Sequence, residues 1–330
     1  RPLFGSMITT VPARWPSAES ATFRTTGSSP LRSSWAMLAI AASRIASSAR
    51  RIAASLASSA RLLAAASAPD PLEVMPAGEL PPDALKPGTL DARWGEAAAA
   101  CCRKAVELAK AGDVARITSA PFNKEAFHMA GYKAMDDMTY FEECFGKGNA
   151  YQVGEVAGIW TTPVTFHVAF RAIPDLMTQD AILAKIRSLD KVLKAARVEP
   201  AKIGVVALNV HCGEGGMFGR EEIDIIGPAI QQAKAEGFNV AGPLPPDSAF
   251  PLALRGDYRG LVLMYHDQAN IGRKIIGRDQ PGVSLFLGMP VPVVTTPHGT
   301  AYDIAWKGMA KHDMLARAIT MAAALAGKGL

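Results

Sequence analysis

Short apolar runs alternate with longer stretches of helical period along most of this chain. Val114–Thr118, Gly154–Thr162, Val164–Val168, Ile203–Leu208, Gly260–Tyr265, Val283–Leu287 and Val291–Thr296 are compact and rich in Val, Ile, Leu and Thr, and they predict strands. Between them the pattern predicts helices with recognisable ends. Asp91 caps a helix that runs to Ala111 and closes at Gly112, and Glu125–Ala130 stops at Gly131. Asp136–Thr139 reads as a loop, followed by Tyr140–Phe145. Thr178 or Asp180 opens a helix to Arg197, and another carries Glu221, Glu222 and Asp224 and closes at Gly237. His298-Gly299-Thr300-Ala301 leads a helix to about Ala310, and Met314–Ala326 forms the last. Strands that alternate with helices in this way predict an α/β fold with a largely parallel sheet covered on both faces.

Residues 1–69 do not follow this pattern. From Ser20 to Pro69 there is no acidic residue, and Leu38–Ala68 is almost entirely Ala, Ser, Arg, Ile and Leu. Three readings stand side by side: a loosely specified amphipathic helical region, an organellar transit peptide, or translation of a GC-rich gene out of frame. Pro69–Pro87 reads as loop and extended chain.

Charge and cysteine content narrow the partners. The chain of 330 residues has a net charge of +5, which invites a nucleic-acid reading. Residues 1–69 hold eight arginines against Glu19 alone, a net of +7, so the remainder carries −2 and no basic face. No apolar run approaches the roughly 20 residues that span a bilayer. Cys101, Cys102, Cys144 and Cys212 form no CxxC pair, which suits reduced thiols in the cytoplasm.

Three of the six histidines share one setting. His167, His211 and His266 each sit at the end of an apolar run, where α/β proteins build their sites. Converging imidazoles would hold a divalent cation and leave positions open for substrate. Taken singly, each also suits a packed histidine, as His128 and His312 do within helices. Cys212 beside His211 is either a fourth ligand or a small packed thiol. Asp267 would orient an imidazole or bind metal itself. Lys124 and Lys274 would hold an anion or move a proton, unless they are simply solvated. The loop Gly213-Glu214-Gly215-Gly216 lets backbone amides approach an anion, though it matches no nucleotide fingerprint. Glu214, Glu221 and Glu222 border it and also suit a helix start. In the His298–Ala305 run, His298-Gly299 followed by Asp303 suits an adenine and a ribose.

These segments together resemble the 4-hydroxythreonine-4-phosphate dehydrogenase family. The matching stretches are Ser119–Gly131, Thr165–Val168, Leu208–Ile223, Gly242–Phe250, Met264–Gln268 and His298–Ala310, in order, from about residue 114 onward. The resemblance implies a two-lobed isocitrate/isopropylmalate dehydrogenase-like fold with a central cleft. The expected division is 70–130 with 285–330 on the cofactor side, and 131–284 on the metal, substrate and dimer side. It further implies NAD, a homodimer, and a divalent metal (Zn, Mg, Mn or Co) held by His167, His211 and His266 across the subunit interface. Lys274 and Asp267 are the implied catalytic residues. Gly213, Glu214, Gly215, Gly216, His298, Gly299 and Asp303 are the implied cofactor contacts. The implied reaction is oxidation of a secondary alcohol of a small hydroxy acid, with or without loss of CO₂.

The chain departs from the family pattern at three places. Nothing in residues 1–69 matches the family's opening Gly-Asp-Pro-Ala-Gly loop. The substrate segment Gly-His-Thr-Glu falls on Asp136-Asp137-Met138-Thr139, and a substrate Asn and Arg fall on Ser284 and Val293. Asp137, Met138, Lys274, Ser284 and Val293 are therefore the expected substrate positions, with fewer cationic donors than a phosphate wants. Other readings are a homologue acting on an aromatic dicarboxylate cis-dihydrodiol or a phosphorylated sugar acid, and an impaired homologue that only folds and dimerises.

Overall fold

The structure is a computed structural model that describes residues 76–78, 88–146, 148–328 and 330, and the backbone of two short strands, β1 (Ile8–Pro12) and β2 (Ala39–Ile40). The readings offered for residues 1–69 otherwise lie outside the described residues, as does most of Pro69–Pro87. The chain divides into two compact units. The first is Arg1–Ala150 with Phe286–Gly327, and the second is Tyr151–Leu285 with Lys328–Leu330.

In the first unit, α1 (Ala92–Ala111) is capped at Asp91, whose side chain accepts from the Arg93 amide at 2.8 Å. It ends on Gly112 in the left-handed conformation, as its sequence predicts. Its buried face carries Ala98, Cys101, Cys102, Ala105 and Leu108 at helical spacing. β3 (Val114–Ser119) follows, then α2 (Lys124–Met129) and α3 (Asp137–Phe145). Asp136 caps α3, so Asp137 and Met138 belong to its first turn and not to a loop. Tyr140, Phe141 and Phe145 bury in the same core as Ile117 and Phe127. That packing carries 131–150 into the first unit, so the boundary falls at Ala150, beyond the residue 130 expected from sequence.

The second unit opens with β4 (Tyr151–Val156) and β5 (Ile159–Pro163), which pair antiparallel. The single strand expected over Gly154–Thr162 is thus a hairpin, turned at Ala157-Gly158, both with positive φ. The strand expected over Val164–Val168 does not form. Pro163 ends β5, and His167 lies in irregular chain beyond it. Then come α4 (Gln179–Ala195), β6 (Ile203–Val206), α5 (Gly227–Ala235), β7 (Val240–Leu244), α6 (Pro246–Arg255), β8 (Gly260–Leu263) and α7 (His266–Ile276). β5, β8, β6 and β7 are parallel neighbours in that order. Strand burial is complete in β5, β6 and β8, in keeping with the apolar sequences of β6 and β8, while β5 also buries Thr161 and Thr162.

β9 (Val283–Leu287) leads the chain back to the first unit, where β10 (Val293–Thr295) pairs parallel with β3 and α8 (Asp313–Leu325) ends the fold. The helix expected after His298 is absent. Only a 3-10 turn at Tyr302–Ile304 forms there, because Ala301, Trp306 and Gly308 take positive φ and break the helical path. Among the described residues no helix is long and apolar enough to cross a membrane.

Candidate active site

The parallel register of β5, β8 and β6 sets their carboxyl ends side by side, with Pro163 opposite Leu263 and Val205 opposite Val262. His167, His266 and His211 follow these three ends. Beyond β5 the ladder continues through amide bonds from Val164 to Leu263 O at 2.7 Å and from Thr165 to Met264 O at 3.1 Å. The Thr165 hydroxyl also donates to Met264 O at 2.9 Å. This zip draws the chain at His167 against the chain at His266. The two rings lie 5.5 Å apart between centroids, with Phe166 at 4.0 Å from the first and 5.2 Å from the second.

His167 has φ of 47°, a conformation that costs a non-glycine residue roughly 1–2 kcal/mol. Such strain persists only where the surroundings impose it, and it collects at functional sites. His266 opens α7, and its Nδ1 lies 2.7 Å from Asp267 Oδ1. That bond fixes the tautomer and leaves Nε2 as the free lone pair. Gln268 ties the strand ends together: it accepts from the Met264 amide at 2.9 Å and donates to Ala207 O at 3.0 Å.

His211 stands on a different device. Residues His211, Cys212, Gly213, Glu214 and Gly215 form a consecutive left-handed run. The run is clamped by Glu222, which accepts from the Leu208 and Asn209 amides at 2.8 Å each and from Asn209 Nδ2 at 3.0 Å. Glu222 begins a stretch of π-helix, Glu222–Ile226, a form common at functional sites. Gly213 is needed here, since a Cβ on it would sit 2.8 Å from Glu222 Oε2. The His211 side chain is 66% exposed, with Glu214 Oε2 at 3.6 Å and the Phe218 ring 6.3 Å away. Cys212 is half-buried. Burial pushes its pKa up, and its Sγ contacts Pro243 O.

The structure thus joins His167 with His266 and sets His211 apart. Among the described residues, no group of three or more His, Cys, Asp or Glu is arranged to hold a metal ion within one chain. The paired imidazoles, with Nε2 of His266 free, suit two ligand positions of a borderline divalent cation. Of the glycine-loop positions expected to meet a cofactor, Gly213 is buried, Glu214 and Gly215 are exposed, and Gly216 is half-buried.

The remaining expected residues fall as follows. In the second unit Lys274 is exposed on α7, while Ser284 on β9 is buried and receives Gln152 Nε2 at 3.0 Å. Its other donor is Arg273, at 3.1 Å, a residue that sequence reasoning passed over. In the first unit Asp137 pairs with Lys124 at 3.4 Å, which turns that lysine from a free anion donor into an ion-pair partner. Met138 packs on the core, and Val293 is fully buried within it and offers no polar group. His298, Gly299 and Asp303 are exposed, with His298 Nδ1 2.9 Å from Gly299 O.

With this arrangement in view, comparison with known proteins is specific. The family profile of pyridoxal phosphate biosynthetic protein PdxA matches residues 31–322. A relative from Rhizobium meliloti (strain 1021) is 42% identical over 228 residues, which are 68% of this chain and 65% of that protein. The D-threonate 4-phosphate dehydrogenase of Pectobacterium atrosepticum is 38% identical over 245 residues, 74% of this chain and 75% of its own length. Among solved structures, 4-hydroxythreonine-4-phosphate dehydrogenase from Klebsiella pneumoniae superposes with a TM-score of 0.66 at 34% identity, over 78% of this chain and 79% of that one. This chain belongs to the PdxA family.

Proposed function

We propose that the chain is an NAD- and divalent-metal-dependent dehydrogenase that oxidises a secondary alcohol of a small phosphorylated hydroxy acid, of the 4-hydroxythreonine-4-phosphate or D-threonate 4-phosphate type. The observation that carries this reading is the set of three histidines following the carboxyl ends of neighbouring strands, in a family whose relatives are named for such dehydrogenases.

The metal (zinc, magnesium, manganese or cobalt) would be held by His167 and His266, with His211 as a third ligand from a second copy of the chain. Two facts support a homodimer. Among the described residues, the three histidines form no metal-holding group within one chain. The same unit also exposes Phe170, Met217, Phe218, Ile271 and Ile275, side chains that a second copy could cover. The unpaired cysteines support a cytoplasmic setting.

When bound, the metal would supply Lewis acidity to the substrate alcohol, and NAD would accept the hydride. The chain's own residues do the rest. Asp267 holds the His266 ring so that Nε2 faces outward. Lys274 presents an exposed ammonium that can neutralise a substrate oxyanion and exchange a proton. Ser284 is a hydroxyl donor. In the first unit His298, Gly299 and Asp303 would contact the adenosine of the cofactor, and in the second unit the loop Gly213–Gly216 would offer backbone amides to an anionic group. Where the oxidised carbon lies β to a carboxylate, the product is a β-keto acid, which loses CO₂ readily.

The test is NADH absorbance with D-threonate 4-phosphate and 4-phosphohydroxythreonine, NAD and each of the four metals. Turnover is expected with at least one pair, and it should fall at least about 100-fold in His266→Ala. Undiminished turnover in that variant, or silence from metal-loaded protein on both substrates, would refute the proposal. Silence would favour the impaired-homologue reading.

A further inference from the structure

Arg273 is buried to 8% exposure in the second unit, yet the hydrogen bonds that hold it end on neutral acceptors. Nη1 donates to Asn270 Oδ1 at 3.2 Å, and Nη2 donates to Val283 O at 3.2 Å and to Ser284 Oγ at 3.1 Å. Nε is buried without a partner. Burial pulls the guanidinium pKa down to about 10, and the charge of Glu155 only partly opposes this. A slot in the sheet accommodates the group. A Cβ on Gly154 would lie 2.0 Å from Arg273 Cζ, so any side chain at 154 would expel the guanidinium. A cation desolvated this far and met mainly by dipoles is costly to stability, which points to a use other than stability.

Ser284 supplies that use. Its Oγ accepts from Gln152 Nε2 at 3.0 Å as well as from Arg273. Both lone pairs are then engaged, and the hydroxyl hydrogen cannot point at either neighbour. Among the described residues Ser284 has no acceptor for it. The hydroxyl is left as a donor to a group the protein does not supply, polarised by the positive charge behind it.

We propose that Arg273 is a positioning residue that sets substrate preference: it locks Ser284 as an obligate donor to an oxyanion of the substrate, carboxylate or phosphate. The proposal rests on the dehydrogenase reading above and extends it to a residue outside the matched substrate positions. A donor lost from an anionic acceptor typically weakens binding about tenfold or more.

The experiment is calorimetric binding by the purified protein, without NAD, using D-threonate 4-phosphate, D-threonate and uncharged threitol as probes. Ser284→Ala and Arg273→Lys should each raise the Kd of an acid at least about tenfold and leave threitol unchanged. Ser284→Thr, which keeps the hydroxyl, should restore binding to within about threefold. Weakening of both acids assigns the contact to the carboxylate. Weakening of the phosphorylated acid alone assigns it to the phosphate. Unchanged acid binding in Arg273→Lys or Ser284→Ala, measured well below the variant's melting temperature, overturns the proposal. So does wild-type protein that binds neither acid more tightly than threitol. Because binding is read without turnover, absent NADH formation with the Arg273 effect intact would sink only the dehydrogenase reading. NADH formation with unchanged Kd would sink only this one.

Discussion

Glu222→Gln isolates the force that holds His211 in place. Three non-glycine residues of the left-handed run, His211, Cys212 and Glu214, together store about 3–6 kcal/mol at roughly 1–2 kcal/mol each. Against this strain stand three hydrogen bonds to the Glu222 carboxylate, from the Leu208 and Asn209 amides and from Asn209 Nδ2. Bonds to a charged acceptor are worth about 1.5–3 kcal/mol each, so clamp and strain are of the same size. Glutamine is isosteric and keeps one carbonyl for the two amides, but those bonds become neutral. Its NH₂ then faces Asn209 Nδ2, donor against donor. The net loss is about 2–3 kcal/mol, enough to let the run relax while the sheet beneath stays folded. The assay is native-state hydrogen exchange. The Leu208 and Asn209 amides should exchange about 30- to 150-fold faster, at 1.36 kcal/mol per decade. The melting temperature should fall by less than the about 4–12 °C that the same loss would cause if spread over a domain of this size. Exchange at wild-type rates would refute the reasoning, because the run would then be held by something other than Glu222.

Four further outcomes follow from the same geometry. Asp267→Asn should lower affinity for Co²⁺, followed by its visible absorption, about 10- to 100-fold, because a neutral amide replaces the carboxylate charge that orients the His266 ring and makes Nε2 a better ligand. Phe141→Ala, at a fully buried position of the first unit, should cost about 3–5 kcal/mol by denaturant titration. In thiol labelling of the native protein Cys212 should react before Cys102, which is fully buried with its pKa pushed well up by burial and by neighbouring Cys101. Burial works to raise the Glu96 carboxyl, yet hydrogen bonds from Tyr132 and Arg103 outweigh it and hold the group below its ordinary value of 4.5. Its contribution, screened to at most about 1 kcal/mol, is therefore present above that pH and lost as pH falls through the lowered value. The stability gap between wild type and Glu96→Gln should close correspondingly in acid.

What could be read from the chain and what could not divide on a physical line. Asp91 and Gly112 announced the ends of α1 because capping and left-handed termination are local chemistry, settled within one turn. The apolar runs ahead of His211 and His266 announced buried strands for the same reason, and with them the edge on which a site would form. The path after His298 escaped, since Ala301 and Trp306 take a conformation their side chains do not advertise. Arg273 escaped for a deeper reason. On an amphipathic helix beside Lys274, an arginine reads as solvent-facing. It is turned inward by a missing side chain on another strand, at Gly154, and by a hydroxyl on a third element, at Ser284. No periodicity within α7 encodes that, because the slot exists only once β4 and β9 are in register. The three histidines mark the opposite limit. Sequence placed each at the end of an apolar run, and the fold then brought two of them close and left His211 on a strained, exposed loop. That loop presents an exposed imidazole with the Phe218 ring 6.3 Å away and exposed Met217 next in sequence. On the proposed function, the loop that Glu222 holds would present His211 to a metal shared with a second copy. Weakening the clamp should loosen metal binding and dimer together rather than either alone. Sedimentation of Glu222→Gln with and without Co²⁺ checks this, and a dimer of undiminished affinity that has lost its metal would break the link.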